Sequence, residues 1–402
     1  MAAVRHGLKD VADLKEKLSA LLDCLVYAGV LTTAQFNAQV HRRRFEDAWR
    51  RQPCAWEHTF VDVAGVGEMA TTLLHHAGLA ALIELRATSA DFRRVVPAAR
   101  LRELTVSRLY VCGGDCHGHC LFSMECLDPD GGTWEALTPM QRARSSAAAA
   151  VSGGLLYVCG GHDGLRVLDS VECFCPLMQE WTELPRMLQP RQSAAMATLG
   201  GRLYVLGGND GDNICRSCES FNCYTRYWGM LPDMYERRHG SAAAAISFPE
   251  DGRGVYVCGG NDGLQSLRSV SRFNPHLNAW QHIPQMSDER ERFAAAAMHG
   301  YVYVCGGGYA QAHVLNTVER FNPTTNVWEG IPPMPQVRLG LAAAAVSGKL
   351  FVCGGSYGRQ DLRTVERYDP RAGSWEPLPQ MTTPRNLATV VALRVCVAEW
   401  LP

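Results

Sequence analysis

The sequence contains no apolar run approaching the ~18 residues or more of a membrane-spanning helix. Nor does either charge dominate: 39 basic side chains stand against 40 acidic ones, a formal net charge of −1. No overall field therefore draws in nucleic acid or an anionic membrane, and neither is expected as a partner. The opening segment, MAAVRHGLKDVADLKEKL, alternates charge with apolar residues and lacks the apolar core of a secretory signal. Cysteine, by contrast, is plentiful. Sixteen cysteines without an export signal point to free thiols in a reducing compartment, so the chain is expected in the cytoplasm, with the nucleus as the alternative. At 47% hydrophobic and 20% charged over 402 residues, the composition is that of a folded globular protein.

An internal repeat dominates what is there. Glycine doublets follow a hydrophobic stretch at Gly113-Gly114, Gly160-Gly161, Gly207-Gly208, Gly259-Gly260, Gly306-Gly307 and Gly354-Gly355, spaced 47, 47, 52, 47 and 48. Tryptophans keep the same rhythm at Trp134, Trp181, Trp228, Trp280, Trp328 and Trp375, spaced 47, 47, 52, 48 and 47. Two independent markers thus lock to one period, the signature of a repeat architecture. The one long interval contains the insert Phe248-Pro249-Glu250-Asp251-Gly252.

Each unit reads as four short strands: a small-residue strand such as SAAAAV (146–151), an apolar strand running into the doublet such as LLYVC (155–159), a third around Val171–Phe174 and a fourth around Trp181. Turn signals every 8–12 residues indicate an all-β array rather than βαβ units. Small residues suit the innermost strand, where blades converge. The doublet gives a backbone free to take positive φ, and the Trp offers apolar area between blades.

These residues resemble the kelch repeat, whose signature is the doublet, a Glu-Arg-Phe-Asn-Pro-like segment and a downstream Trp. That segment stands here as VSRFNP (270–275), VERFNP (318–323) and VERYDP (365–370). Kelch repeats form β-propellers, so six matches over about 105–393 imply a mainly β chain with a six-bladed propeller. The first doublet has only 106–112 before it as a strand, and 385–393 matches an innermost strand without a blade of its own. Pairing the two would close the ring and remove both open edges.

Residues 1–100 differ in having long helix-forming stretches and no doublet, and a small α-helical region is expected there. Leu14, Leu18, Leu21, Leu22 and Leu25 share one helical face, and a second helix begins near Thr32. Within a third patterned stretch, about 68–96, LLHHAGLAALIELRATSADFRRVV (73–96) is similar to a degenerate F-box, a helical module that docks onto a ubiquitin-ligase scaffold. The opening Leu-Pro of that family is missing, and Ala-Thr-Ser stands where Val-Cys is usual. The alternative is a generic helical cap or oligomerisation element. The segment is too short for both BTB and BACK domains. Gly65-Val66-Gly67-Glu68-Met69-Ala70 matches a dinucleotide fingerprint in form only, since no βαβ unit follows it.

Cys112, Cys116, His117, His119 and Cys120 have the residue types and short spacing of a zinc site. Cys112, however, shares its register with Cys159, Cys258, Cys305 and Cys353 ahead of their doublets, so it reads as a small buried residue, and no metal is expected. Directly after the doublets come Asp115, His162, Asn209, Asn261, Gly308 and Ser356, then Cys116, Asp163, Asp210, Asp262, Tyr309 and Tyr357. Arginines approach each inner strand at Arg144, Arg191, Arg238, Arg292, Arg338 and Arg385. These loops share one face near the channel, and a ring of arginines there offers multidentate donors to carboxylate or phosphate. In kelch-like adaptors this face similarly grips an acidic or phosphorylated peptide. Two further roles fit the same residues: the Asp-Gly aspartates cap their own turns, and the arginines bridge neighbouring blades.

No nucleophile–base–orienter set emerges from the spacing, so no catalytic residue and no cofactor are expected. Some kelch propellers are enzymes, including copper oxidases and sialic-acid epimerases, and a channel active site is the lesser alternative. The leading expectation is a protein-interaction module, specifically a substrate-recognition adaptor for a ubiquitin ligase that meets cullin components through 1–100. A cytoskeletal or scaffolding role is the second.

Overall fold

A computed structural model describes residues 105–396 apart from 131, 177, 248–251 and 310–312. The expected N-terminal helices, the F-box-like stretch and the Gly65 fingerprint lie outside the described residues. Thr105–Val395 forms one compact unit.

Six four-stranded antiparallel sheets make up this unit, each a propeller blade. Blade 2 shows the pattern in Ala148–Ser152, Leu155–Cys159, Val171–Cys175 and Glu180–Leu184. Five-residue strands arise because glycine turns interrupt the chain before an Ala-rich segment can extend into a helix. Blades 3 to 6 repeat the order, with innermost strands Ala195–Leu199, Ala242–Ile246, Ala294–Met298 and Ala342–Val346. No α-helix occurs among the described residues, and none of their helices is long and apolar enough to cross a membrane.

Blade 1 is assembled from both ends of this unit. Its innermost strand, Thr389–Cys396, lies beside Thr105–Cys112, followed by Met124–Asp128 and Thr133–Leu137. The strand begins at Thr389 rather than 385 because the preceding residues have other bonds to make: Asn386 bridges to Asp115, and Leu387 turns at φ 53°.

The core is a set of layers between blades rather than one central mass. Ala148, Ala150, Tyr157, Cys159 and Val171 of blade 2 pack on Met196, Leu203, Val205 and Phe221 of blade 3. The seam of blades 6 and 1 is built alike, with Ala342, Phe351 and Cys353 against Leu109, Val111 and Leu127. Five of the tryptophans pack near an aromatic of their own blade, as Trp228 does 5.0 Å from Phe221 between ring centroids, and Trp134 lies opposite Leu127 instead. Each Trp also carries a polar tie. All six indole N–H groups donate to a carbonyl of the preceding blade's exit loop, among them Trp228 to Pro185 at 2.8 Å and Trp134 to Pro379 at 2.8 Å across the seam.

The doublets sit where loops cross. Gly161 has φ +90°, and a Cβ there would lie 2.6 Å from the Ser145 carbonyl oxygen and 3.0 Å from the Ala147 Cβ. Both the conformation and the approach demand glycine.

Candidate partner-binding face

Four residues before each innermost strand stands an arginine: Arg144, Arg191, Arg238, Arg290, Arg338 and Arg385. All six are at most 1% exposed. The expectation that Arg144, Arg191, Arg238, Arg338 and Arg385 present donors to a partner is therefore corrected. Each guanidinium reaches into the next blade and bonds there through both Nη groups, while Nε is paired in all but Arg238 and Arg338. Arg191 shows the full set. Its Nε donates to Glu219 Oε1 at 2.8 Å, its Nη1 to the carbonyls of Gly207 and Ser217, and its Nη2 to Gln189 Oε1 and Ser217 Oγ. Glu219 is buried too, and its second oxygen accepts from the Leu188 amide at 2.7 Å. Arg144–Glu172, Arg290–Glu319, Arg338–Glu366 and Arg385–Glu125 repeat the ion pair at 2.8, 3.1, 3.2 and 2.8 Å. The last of these crosses the seam. Where Pro335 supplies no amide N–H, Glu366 Oε2 is left without a partner among the described residues.

Arg292 is different. The segment Asp288-Glu289-Arg290-Glu291-Arg292 offers two arginines, and the buried role belongs to Arg290. Arg292 is exposed, two residues further on, with φ 52°. It shares this position with Ser146, Ser193, Gly240, Gly340 and Leu387, all at positive φ between 52° and 66°. Their backbones form a closed ring of hydrogen bonds: each amide donates to the carbonyl of the preceding member at 2.7–3.0 Å, and Ser146 donates to Leu387 to complete the circle. This annulus lines a small cavity on the channel axis together with Ala147, Ala194, Phe293 and Leu341. Arg292 is its sole charged side chain. The guanidinium makes no ion pair or hydrogen bond among the described residues, so it is available to a ligand.

One residue out from the annulus, reciprocal backbone bridges tie the two loop sets together: Ser145 with His162, Gln192 with Asn209, His239 with Asn261, Glu291 with Gly308, and Leu339 with Ser356. This pairing brings His162, Asn209, Asn261, Tyr309, Ser356 and Tyr357 to the same end of the blades as Arg292. Their side chains are not equally free. His162 Nδ1 accepts from the Gly164 amide at 2.9 Å, which leaves the proton on Nε2 in the neutral ring. Asn209 Oδ1 accepts from Gly211, while Asn261 accepts from Gly263 and donates to Glu291 Oε2 at 2.6 Å. Ser356 is buried, Tyr309 stacks on His313 with centroids 4.9 Å apart, and Tyr357 is 56% exposed. Burial lowers the pKa of His239, with Glu291 opposing the effect and Arg292 adding to it.

The Asp-Gly aspartates serve their own turns. Asp163 Oδ1 accepts from the Leu165 and Arg166 amides, and Asp210 and Asp262 do the same two and three residues on. At the tips these turns lift Leu165 and Leu264 to 92% and 95% exposure. Cys116 faces His119 across a two-residue hairpin, and no group of three or more potential metal ligands occurs among the described residues. Cys112, Cys159, Cys258, Cys305 and Cys353 are buried in the blades.

The Kelch motif matches this chain six times, at residues 107–141, 143–188, 190–235, 250–287, 289–335 and 338–382. The chain belongs to the kelch-repeat family. Its propeller is accordingly a protein-interaction fold. It is also similar to Kelch-like protein 35 of Mus musculus, with 40% identity over 53 residues; the match spans 13% of this chain and 9% of the mouse protein.

Proposed function

We propose that this kelch propeller is the substrate-recognition part of a ubiquitin-ligase adaptor, and that it grips an acidic or phosphorylated segment of a protein partner on the annulus face. Arg292 carries the reading: an exposed guanidinium on a closed backbone ring, with no ion pair among the described residues to neutralise it. Such a group offers fork-shaped donors to a carboxylate or phosphate oxygen. On the same face, Tyr357, Tyr309 and the tips Leu165 and Leu264 supply apolar contact, while His162, Asn209 and Asn261 add polar groups held by the loop bridges. Aromatic anchors around a single arginine are the usual composition of an interaction hot spot. The likeness to a kelch-like protein and the F-box-like stretch at 73–96 support the ligase context. In that reading 1–100 meets the cullin components.

The test is affinity purification of the full chain and of its Arg292→Glu variant from native cells, read by mass spectrometry. The expected result is cullin components with both proteins and a set of partners lost from the variant. Absence of cullin components from both retires the ligase reading. An unchanged partner set in the variant retires the annulus as the binding site.

A further inference from the structure

Five of the six buried arginines have a glutamate on the third strand of the blade they enter: Glu125, Glu172, Glu219, Glu319 and Glu366. Blade 4 departs from this. Ser271 occupies the position, opposite Val257 in the second strand as the glutamates lie opposite Val111, Val158, Val205, Val304 and Val352. Ser271 is as buried as the glutamates it replaces. Arg238, the arginine that enters this blade, still sends Nη1 to the Gly259 and Ser269 carbonyls and Nη2 to Ser269 Oγ, in the same manner as its counterparts. Its Nε, the atom that donates to glutamate in Arg144, Arg191, Arg290 and Arg385, is buried and has no partner among the described residues; Arg338 Nε shares that state, but there Glu366 still meets Nη2 at 3.2 Å.

The shortfall is one of charge. The guanidinium is 1% exposed, and the carboxylate in contact with it is Glu236, at 2.6 Å and itself 43% exposed. Glu236 is not the missing group moved elsewhere. Gln189 and Asp288 hold the same place beside Arg191 and Arg290, whose strand glutamates are present as well. A glutamate in this register also accepts the amide of the residue directly after the exit-loop methionine, as from Gln141, Leu188, Ser287 and Thr382. The equivalent residue in the loop before blade 4 is Tyr235. Replacing glutamate by serine thus removes a carboxylate from between an arginine Nε and a backbone N–H and puts nothing of like charge in its place. A buried, partly neutralised cation with an unused donor is costly.

We propose that the seam of blades 3 and 4 binds a small monovalent anion, of which chloride is the commonest in solution, held by Arg238 Nε in the space the strand glutamate fills in the other blades. The Tyr235 amide and the Ser271 hydroxyl are the neighbouring donors in register. The anion restores the charge pairing that the substitution at 271 removed. It acts as an inorganic staple between two blades, and it makes propeller stability respond to halide concentration.

The experiment is thermal melting of the full chain and of Ser271→Glu at constant ionic strength, with sodium chloride or bromide progressively replacing sodium gluconate, whose anion is far larger than a halide. The expected result is a wild-type melting temperature that rises by several degrees with halide and saturates, and a variant that melts higher in gluconate and ignores the exchange. An equal halide response in the two proteins reports a general salt effect and overturns the proposal, as does a flat wild-type response. Should Ser271→Glu fail to fold, bromide-soaked crystals of the wild type decide: an anomalous peak within hydrogen-bond distance of Arg238 Nε is required, and a water there instead refutes the site. Partner capture through Arg292 plays no part in either readout.

Discussion

Replacement of Arg191 by alanine tests the central correction, that the entry arginines hold blades together rather than wait for a ligand. Both members of the Arg191–Glu219 pair have fully buried side chains, 0% exposed, and meet at 2.8 Å. The substitution deletes all five hydrogen bonds of the guanidinium. It leaves the Glu219 carboxylate with the Leu188 amide but no cation, and it strips donors from two buried carbonyls. Breaking a buried pair from one side costs roughly 3–5 kcal/mol. At about 2–4 °C per kcal/mol for a domain of 150–250 residues, and less for a larger one, the melting temperature should drop by about 6–10 °C. Differential scanning fluorimetry checks this, with Arg191→Met, Glu219→Leu and the Arg191→Met/Glu219→Leu double variant to complete a cycle. The double variant should lose far less than the sum, because no charge is then left buried without its counterpart. A drop under about 2 °C for Arg191→Ala would refute the structural role.

Three further outcomes follow from the same geometry. Arg292→Ala, which removes an exposed side chain without an internal partner, should change stability by less than about 0.5 kcal/mol while weakening partner capture in a pull-down. Gly161→Ala forces a side chain into positive φ and against the Ser145 carbonyl and Ala147, so the melting temperature and soluble yield should both fall, and a wild-type melting curve would contradict the crossing-loop account. Burial pushes the thiols of Cys112, Cys258, Cys305 and Cys353 up to about 12 from an ordinary value near 9. These thiols are neutral in the fold, so their contribution is complete below pH 9 and is lost as pH rises through 9 to 12. Alkaline titration by circular dichroism should show that loss, and maleimide labelling at neutral pH should modify partly exposed Cys116, Cys120 and Cys175 well before these four.

The blade count is legible in the sequence because glycine doublets and tryptophans are forced on every blade by the same local geometry. The fate of the arginines is not legible from periodicity, which fixes where a residue recurs but not how deeply it lies. A signal for it exists nonetheless: the ion-paired glutamate follows its arginine by 28 residues in the pairs of Arg144 and Arg191, and by 29 in that of Arg290. Arg292 breaks that spacing and Arg290 keeps it. The annulus has no such signature. It is made by backbone amides and carbonyls at positive φ, and its members are Ser, Ser, Gly, Arg, Gly and Leu, which share no side-chain chemistry. Residue identity is informative where side chains do the bonding, and nearly silent where the backbone does.

That silence bears on function. In every blade the entry segment assigns three successive jobs: the first residue is a buried arginine, the second bridges to the loop after the doublet through its backbone, and the third closes the annulus through its backbone. At the third position the side chain is the one part with no structural duty, and it points the variation of the sequence at the channel mouth. A sixfold scaffold thereby becomes an asymmetric surface. Arg292 stands between Gly240, whose missing side chain leaves it room, and Gly340, where Asn386 and Leu387 already occupy the place of a side chain; Leu387, Ser146 and Ser193 complete the other half. On the proposed reading, a partner therefore meets one cation with open space on the Gly240 side and a neutral arc opposite, which fixes its orientation as well as its charge. Gly240→Ser would narrow that space while leaving the guanidinium itself in place.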